Sequence, residues 1–367
     1  MVDANSWLEL SRARIESNLA GVRALVGERR IMPVVKANAY GAGAALIAEV
    51  LAANGIEMFA VANVREGVEL RARGIGGRIV VLTYFTTGEV QAIREYGLTP
   101  AVFTIEAVER LTSGAAIERI QDVWVKVDTG LNRIGVPHAE AASFIRGVAS
   151  NAAVRVTGVF STIAENPLRD GTQVERLRDV RAALGPLGNV PFSLASSHGI
   201  VSLPDSYFDI VRPGIMLLGF EPSDRERMDM RLVEQAKLQP IVSWKARIGY
   251  RKIVPKGEQV GYGVQPALER DTRVASVALG WADGCPPLLN RGGHVLIGGH
   301  RCPVLSVSAN STLVDASGVP EATLGDEVVL LGRQGNDEIT PYELAQATGS
   351  VYRILASIPH EVPRMLI

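Results

Sequence analysis

Residues 31–62 read IMPVVKANAYGAGAALIAEVLAANGIEMFAVA, and the pattern changes character twice along them. Ile31–Val35 is an unbroken apolar run, as expected of a strand covered on both faces. Ala44–Ala53 carries apolar residues at the i, i+3, i+4 spacing of a helix. Glu57–Ala62 returns to a short apolar run. The reading is strand, Gly-rich link, helix, strand.

The same alternation continues outward. Ile79–Thr83, Thr99–Phe103, Val123–Val127, Val156–Phe160, Pro191–Ala195 and Ile210–Met216 are further strand candidates. Val64–Arg73, Ala139–Ala149 and Thr172–Leu184 lie between them as amphipathic helices. Apolar strands joined by helical crossovers predict a parallel sheet covered on both faces. Eight such strands predict an α/β fold of the (β/α)8 barrel type. The rival, a doubly wound open sheet, would announce itself by GxGxxG after a strand, and no such motif is present.

Past about residue 240 the texture changes to IVSWKARIGYRKIV, RVASVALGW, HVLIGG, CPVLSVS and DEVVLLG, β-rich segments separated by Gly, Pro and Asp turns. Helical pattern returns only briefly, near Pro341–Thr348. The expectation is a barrel over residues 1–240 and a mostly-β domain over 241–367. About the first ten residues are candidates to pack with the second domain.

Composition narrows the function classes. The 367 residues fit two domains of ordinary size. With 38 basic and 39 acidic residues, the chain lacks the basic excess of a nucleic-acid binder. Cys285 and Cys302 are too few for a disulfide framework and form no CxxC pair, so they read as small buried hydrophobes. No apolar run is long enough to span a bilayer. The start, MVDANSWLELSRARIESNL, is acidic and amphipathic rather than a signal peptide. A cytoplasmic protein with no membrane partner is expected.

Barrels of this type carry their functional groups at the C-terminal strand ends. Lys36 and Tyr40 follow the first strand, Lys126, Asp128 and Arg133 the fifth, Ser196, Ser197 and His198 the seventh, and Arg212, Gly214 and Ile215 the eighth. A lysine at a strand end is most often a solvated charge. Lys36, however, follows Met32-Pro33-Val34-Val35, so its stem starts inside an apolar layer. Desolvation lowers a lysine's pKa and makes it a Schiff-base nucleophile. Hydroxyls and backbone N–H groups after strands seven and eight suit a phosphate. A Schiff-base lysine facing a phosphate cradle points to pyridoxal phosphate.

These segments together resemble the alanine racemases, pyridoxal-phosphate enzymes of fold type III, over nearly the whole chain. The resemblance rests on VVKANAYGAG (34–43), VKVDTGLNRIG (125–135), FDIVRPGI (208–215), VGYG (260–263), ADG (282–284) and VPR (362–364), in that order. It implies a homodimer with shared active sites and a small amino-acid substrate. Lys36 matches the lysine that holds the cofactor and moves a proton on one face of the substrate. Tyr262 matches the tyrosine that acts on the other face, supplied by the second subunit. Arg133 matches the arginine that binds the substrate carboxylate, and Lys126 a lysine often carbamylated in the family. Arg212 matches the arginine on the pyridine nitrogen, and Tyr40, Ser197, Gly214 and Ile215 match the phosphate cradle. An always-protonated arginine keeps that ring nitrogen uncharged, which favours returning a proton to the same carbon over transamination. Tyrosine's ordinary pKa near 10 is high for a base, and a cation such as Arg133 helps it ionise.

The chain departs from the family pattern at several places. Ala42 stands where Gly-His-Gly is usual, and Thr162 where Ser/Thr-His-Phe-Ala is usual. Ala309 and Asn310 replace a Met-Asp pair, and Trp281 replaces a tyrosine. Pro286-Pro287 replaces Pro-Arg, and Leu366 or Met365 takes the place of a C-terminal tyrosine. Ala309 falls near the family's substrate carboxylate, and Trp281 and Leu366 fall in its substrate corridor. Alanine is the expected substrate, with serine or a larger polar amino acid as the alternative. A fold-III decarboxylase and a pyridoxal-phosphate carrier protein are more remote. His198 aligns with a small residue, so a local structural role is expected. His294 and His300 fall in a β hairpin without ligand spacing, and no metal site is expected.

Overall fold

The computed structural model describes residues 4–113, 120–222, 225–286, 289, 292–348 and 350–367. Pro287 and the first three residues of the chain lie outside them. The described chain falls into two units. One comprises Ala13–Ala39 and Ala44–Gln239, the other the residues up to Arg12, Tyr40–Gly43 and Pro240–Ile367.

The first unit is a parallel sheet that nearly closes on itself. In spatial order its strands are Arg30–Ile31, Ile210–Arg212, Phe192–Ser196, Val154–Phe160, Gln121–Asp128, Thr99–Val102, Arg78–Val81 and Met58–Val61. The segment after Arg30 links the two edges. Met32 N–H donates to Val211 O at 2.9 Å on one side, and Val35 N–H donates to Ala60 O at 2.9 Å on the other. Helices such as Ala44–Ala53, Val64–Ala72, His138–Ala149 and Pro167–Ala183 connect the strands.

Three elements depart from the sequence expectation by more than two residues at an end, each for a local reason. The first strand is regular only over Arg30–Ile31, because Pro33 has no N–H to give and the chain changes partners there. The eighth ends at Arg212 rather than Met216, since Pro213 again removes a donor and Ile215–Leu218 turns as a 3-10 helix. The helix expected from Thr172 begins at Pro167, where Asn166 accepts the Leu168 N–H. Proline in the first turn and an asparagine cap are a standard helix start.

Met32, Met58, Ala60, Val80, Ala101, Trp124, Phe160 and Ile210 fill the barrel interior. Trp124 fits because its neighbour across the sheet is Gly158, where a Cβ would stand 2.3 Å from the indole. That layer forms the floor beneath the strand ends.

The second unit is built on antiparallel strands. Val242–Val254, Thr272–Val277, Thr312–Asp315, His300–Val307, His294–Ile297 and Glu327–Gln334 pair in turn, and the last pairs back to the first. Ser6–Leu10 joins Val242–Val254, and Arg364–Leu366 lies parallel to Ser6–Leu10. Beyond the expected helix Pro341–Thr348, a second short helix spans Val351–Ala356, capped by Ser350. Cys285 and Cys302 are buried, and burial pushes their thiols up to about 12 and about 11. Both are protonated and inert at neutral pH. Among the described residues, no helix is long and apolar enough to cross a membrane.

Candidate active site

The barrel's first strand segment ends at Lys36, and the chain then turns the wrong way. Ala37, Asn38, Ala39 and Tyr40 have φ of 51°, 55°, 51° and 56°. Four consecutive non-glycine residues are left-handed. Each such residue costs roughly 1–2 kcal/mol, so the surroundings must hold the run in place. Glu66 does part of this: its carboxylate accepts the Ala37 N–H at 2.9 Å and the Ala62 N–H at 2.7 Å. It thereby ties together the ends of two neighbouring strands. Asn38 Oδ1 accepts the Ala44 N–H at 2.8 Å and caps the following helix.

Lys36 emerges among cations. Burial first, then Arg133, lowers its pKa, with Arg212 adding to the effect; Glu66 and Glu165 oppose it. Lys126 is almost wholly buried and is pulled down to about 7 by burial, then by Arg212 and Arg133, with Asp128 opposing. Its Nζ donates to Thr162 Oγ1 at 3.2 Å. Arg212 is buried and lowered to about 10, still charged at neutral pH. Its two terminal nitrogens donate to Ser193 Oγ and to the carbonyls of Ser161 and Leu194. Its Nε makes no hydrogen bond among the described residues. Arg133 is exposed on the following loop. That loop is shaped by Asp128 Oδ1, which accepts the N–H groups of Gly130 and Asn132.

Beside these cations lies a set of hydroxyls. Ser197 Oγ accepts the Gly214 N–H at 2.8 Å, which leaves its own O–H to donate. Ser196 Oγ is buried without a hydrogen-bond partner among the described residues. Ile215 opens the 3-10 turn that follows Gly214. Gln173 braces two strand ends at once, donating to Thr129 Oγ1 and Thr162 O and accepting the Ala164 N–H.

His198 is buried, with Nε2 3.8 Å from Asp170 Oδ2. Burial pushes the imidazole down and the Asp170 carboxyl up, in each case against the charged form. Glu165, in left-handed backbone at φ 58°, is pushed up by burial and then by Asp170, with Arg227 and Lys36 opposing.

The barrel unit therefore brings together Lys36, Lys126, Arg133 and Arg212, and separately Ser197 with Gly214. Sequence reasoning missed Glu66, Glu165, Asp170 and Gln173. Only Glu66 left a signal: Asn63-x-x-Glu66 is a capping-box spacing, and Asn63 does accept the Glu66 N–H at 3.0 Å.

In the β-rich unit, Tyr262 sits 82% exposed between Gly261 and Gly263, at φ 93° and 76°. A Cβ on Gly261 would stand 2.2 Å from Ser306 Oγ, so only glycine lets this loop lie against its neighbouring strand. Trp281 and Ala309 meet through backbone: Trp281 N–H donates to Ser308 O, and Ala282 N–H to Ala309 O, each at 2.9 Å. Asn310 follows in an exposed position and lines a cavity with Asp283 and Pro363. Leu366 pairs with Leu10. Tyr40 packs edge-on to Tyr352, ring centroids 5.6 Å apart.

Comparison with known proteins adds a family. Residues 10–222 match the family model described as alanine racemase, N-terminal domain, and residues 241–366 match alanine racemase, C-terminal domain. An alanine racemase of Halothermothrix orenii is 34% identical over 369 residues, covering 98% of this chain and 96% of that protein. A crystal structure of alanine racemase from E. faecalis matches with a TM-score of 0.90 at 26% identity, covering 100% of this chain and 99% of that one. A crystal structure of the Bartonella henselae enzyme with covalently bound pyridoxal phosphate matches with a TM-score of 0.82 at 26% identity, covering 99% and 100%.

Proposed function

The chain belongs to the alanine racemase family and catalyses alanine racemisation, and on that premise we propose that it uses pyridoxal phosphate and two bases, Lys36 and Tyr262 of the partner subunit. The observation that carries this reading is the desolvated Lys36 amine set among Arg133, Lys126 and Arg212 at the barrel's strand ends.

The residues present suit the cofactor. A desolvated primary amine suits its aldehyde. The partnerless Ser196 hydroxyl and the free O–H of Ser197 suit its phosphate, with Gly214, Ile215 and Tyr40 completing the family's cradle. The unengaged Nε of Arg212 suits its ring nitrogen. When bound, pyridoxal phosphate supplies the electron sink that makes the substrate α-C–H acidic.

The chain's own groups do the rest. Arg212 stays protonated at neutral pH, so it would donate to the ring nitrogen, keep that nitrogen unprotonated and moderate that sink. A moderated sink favours proton return to the same carbon. Lys36, neutral more readily than an ordinary lysine, takes or gives a proton on one face. The Tyr262 phenol serves the other face. Arg133 binds the substrate carboxylate. Lys126, with half its amines neutral near pH 7, adds CO2 and releases one proton to give a carbamate, whose anion steadies Arg133.

Borohydride reduction of the purified enzyme, followed by peptide mapping, should fix the cofactor on Lys36. Tyr262→Phe should keep the cofactor and lose roughly 10²–10⁴-fold in turnover. Mixed dimers of Lys36→Ala and Tyr262→Phe chains should regain one intact site. Label on a different lysine, or mixed dimers that form without activity, would overturn the reading.

A further inference from the structure

Arg364 closes the VPR motif, and nothing in the proposed chemistry uses it. Its guanidinium is half-buried, and every hydrogen bond it makes among the described residues goes to a backbone carbonyl. Nε and Nη2 donate to Gly41 O at 3.2 and 2.9 Å. Nη2 also reaches Ile358 O at 3.0 Å, and Nη1 reaches Pro359 O at 2.5 Å and Val362 O. One side chain thus ties the chain's last strand and the turn before it to Gly41.

Gly41 is confined in other ways as well. Its φ is 95°, and a Cβ there would stand 1.9 Å from Leu355 O in the helix Val351–Ala356. One residue earlier, the Tyr40 ring meets that helix at Tyr352. Tyr40–Gly43 accordingly groups with the β-rich unit, although the chain on both sides of it belongs to the barrel.

Gly41 is also where the left-handed run from Ala37 ends. Such a run has no intrinsic stability in L-residues and persists only while both ends are fixed. Glu66 fixes the beginning, through the Ala37 N–H. We propose that Arg364 is a positioning residue that fixes the other end, and that through these few bonded residues it sets the exit of Lys36 and the place of Tyr40.

The side-chain type fits the task. A guanidinium presents several donors in a rigid plane, enough to span four carbonyls, whereas an ammonium gathers its donors on a single atom. The role rests on reading Lys36 as the cofactor lysine, so the test needs one arm that does not depend on it.

That arm is hydrogen exchange on full-length protein, following the peptide that covers residues 36–44. The second arm is the dissociation constant for pyridoxal phosphate. Arg364→Gln should speed exchange in that peptide and weaken cofactor binding, each by roughly tenfold or more, with Arg364→Lys in between. Arg301→Gln is the control, since Arg301 makes a comparable network with Asp337, Glu343 and the Glu338 carbonyl in the same unit. It should lower Tm and leave both readouts unchanged. Where Arg364→Gln does not fold, Arg364→Lys carries the same comparison. Exchange and binding within about twofold of wild type, or equal changes in the Arg301 control, would overturn the proposal. Wild-type protein that holds no cofactor on Lys36 would instead overturn the proposed function, and the exchange arm would still decide the role of Arg364.

Discussion

Lys126 and Arg212 share the ring of Phe160, the lysine Nζ 4.5 Å and the guanidinium carbon 5.3 Å from its centroid. An aromatic face attracts a cation, but two buried cations beside one ring repel each other. The conflict is resolved on the stronger acid, the lysine ammonium. Arg212 stays charged, and Lys126 is lowered to about 7.

The first prediction follows from that asymmetry. Only the neutral amine adds CO2, and its fraction rises as pH climbs through about 7. With labelled bicarbonate, the 13C carbamate signal on Lys126 should be nearly absent at about pH 5.5 and strong at about pH 8. An ordinary lysine would need a far more alkaline solution. No signal at either pH would exclude the carbamate, and a signal equally strong at both would exclude control by the lowered pKa.

Glu66 gives a second prediction. Its carboxylate raises the pKa of Lys36 while burial and Arg133 lower it. Glu66→Gln removes the charge and keeps one acceptor oxygen, so the pH profile of Lys36 reactivity should move to lower pH. Glu66→Ala also strips an acceptor from the Ala37 and Ala62 N–H groups, at a cost of roughly 1–3 kcal/mol. A profile that moves to higher pH would contradict the assignment.

The barrel is legible in the sequence because its strands are short continuous apolar runs with helices between them. The left-handed lysine turn is not. Lys36-Ala37-Asn38-Ala39-Tyr40 is rich in alanine, the strongest right-handed helix former, so local propensity points the wrong way. Contacts far along the chain, from Glu66 and from Arg364 to Gly41, decide the matter. The cations at the strand ends are visible from their positions alone. The buried braces Gln173 and Asp170 lie inside a helix pattern that gives no hint of what they touch. The start at Asn166-Pro167 carried a readable cap signal that the apolar periodicity from Thr172 overshadowed.

A third prediction concerns the loop that presents Tyr262. Gly261→Ala would force a Cβ into Ser306 and leave a side chain at φ 93°. It should reduce turnover while leaving cofactor on Lys36, because only the tyrosine's placement changes. Adding Ser306→Gly removes the steric overlap but not the backbone strain, and should restore part of the lost rate. Full activity in Gly261→Ala would show that the loop's position is immaterial.

The last prediction is substrate breadth. The backbone bonds of Trp281 to Ser308 and of Ala282 to Ala309 hold the two segments that carry Trp281 and Ala309 side by side. The family resemblance implies tyrosine and methionine at these positions, beside the substrate corridor and carboxylate. Ala309 removes most of a side chain there, Trp281 adds an aromatic bulk that stands 55% exposed, and Leu366 lacks the hydroxyl and ring of a tyrosine. A methylene's difference in a pocket discriminates by only about 1–3 kcal/mol, so these changes broaden a preference more readily than they switch it. Serine or a larger polar amino acid should be racemised within roughly 10–200-fold of alanine in kcat/KM. Ala309→Met should narrow the pocket and widen that gap, and Trp281→Tyr should restore the family's corridor without loss of alanine turnover. Initial rates on a panel of L-amino acids, resolved by chiral chromatography, decide it. Alanine preferred by many orders of magnitude would reject the widened pocket. An Ala309→Met variant with an unchanged ratio would remove Ala309 from the substrate's surroundings.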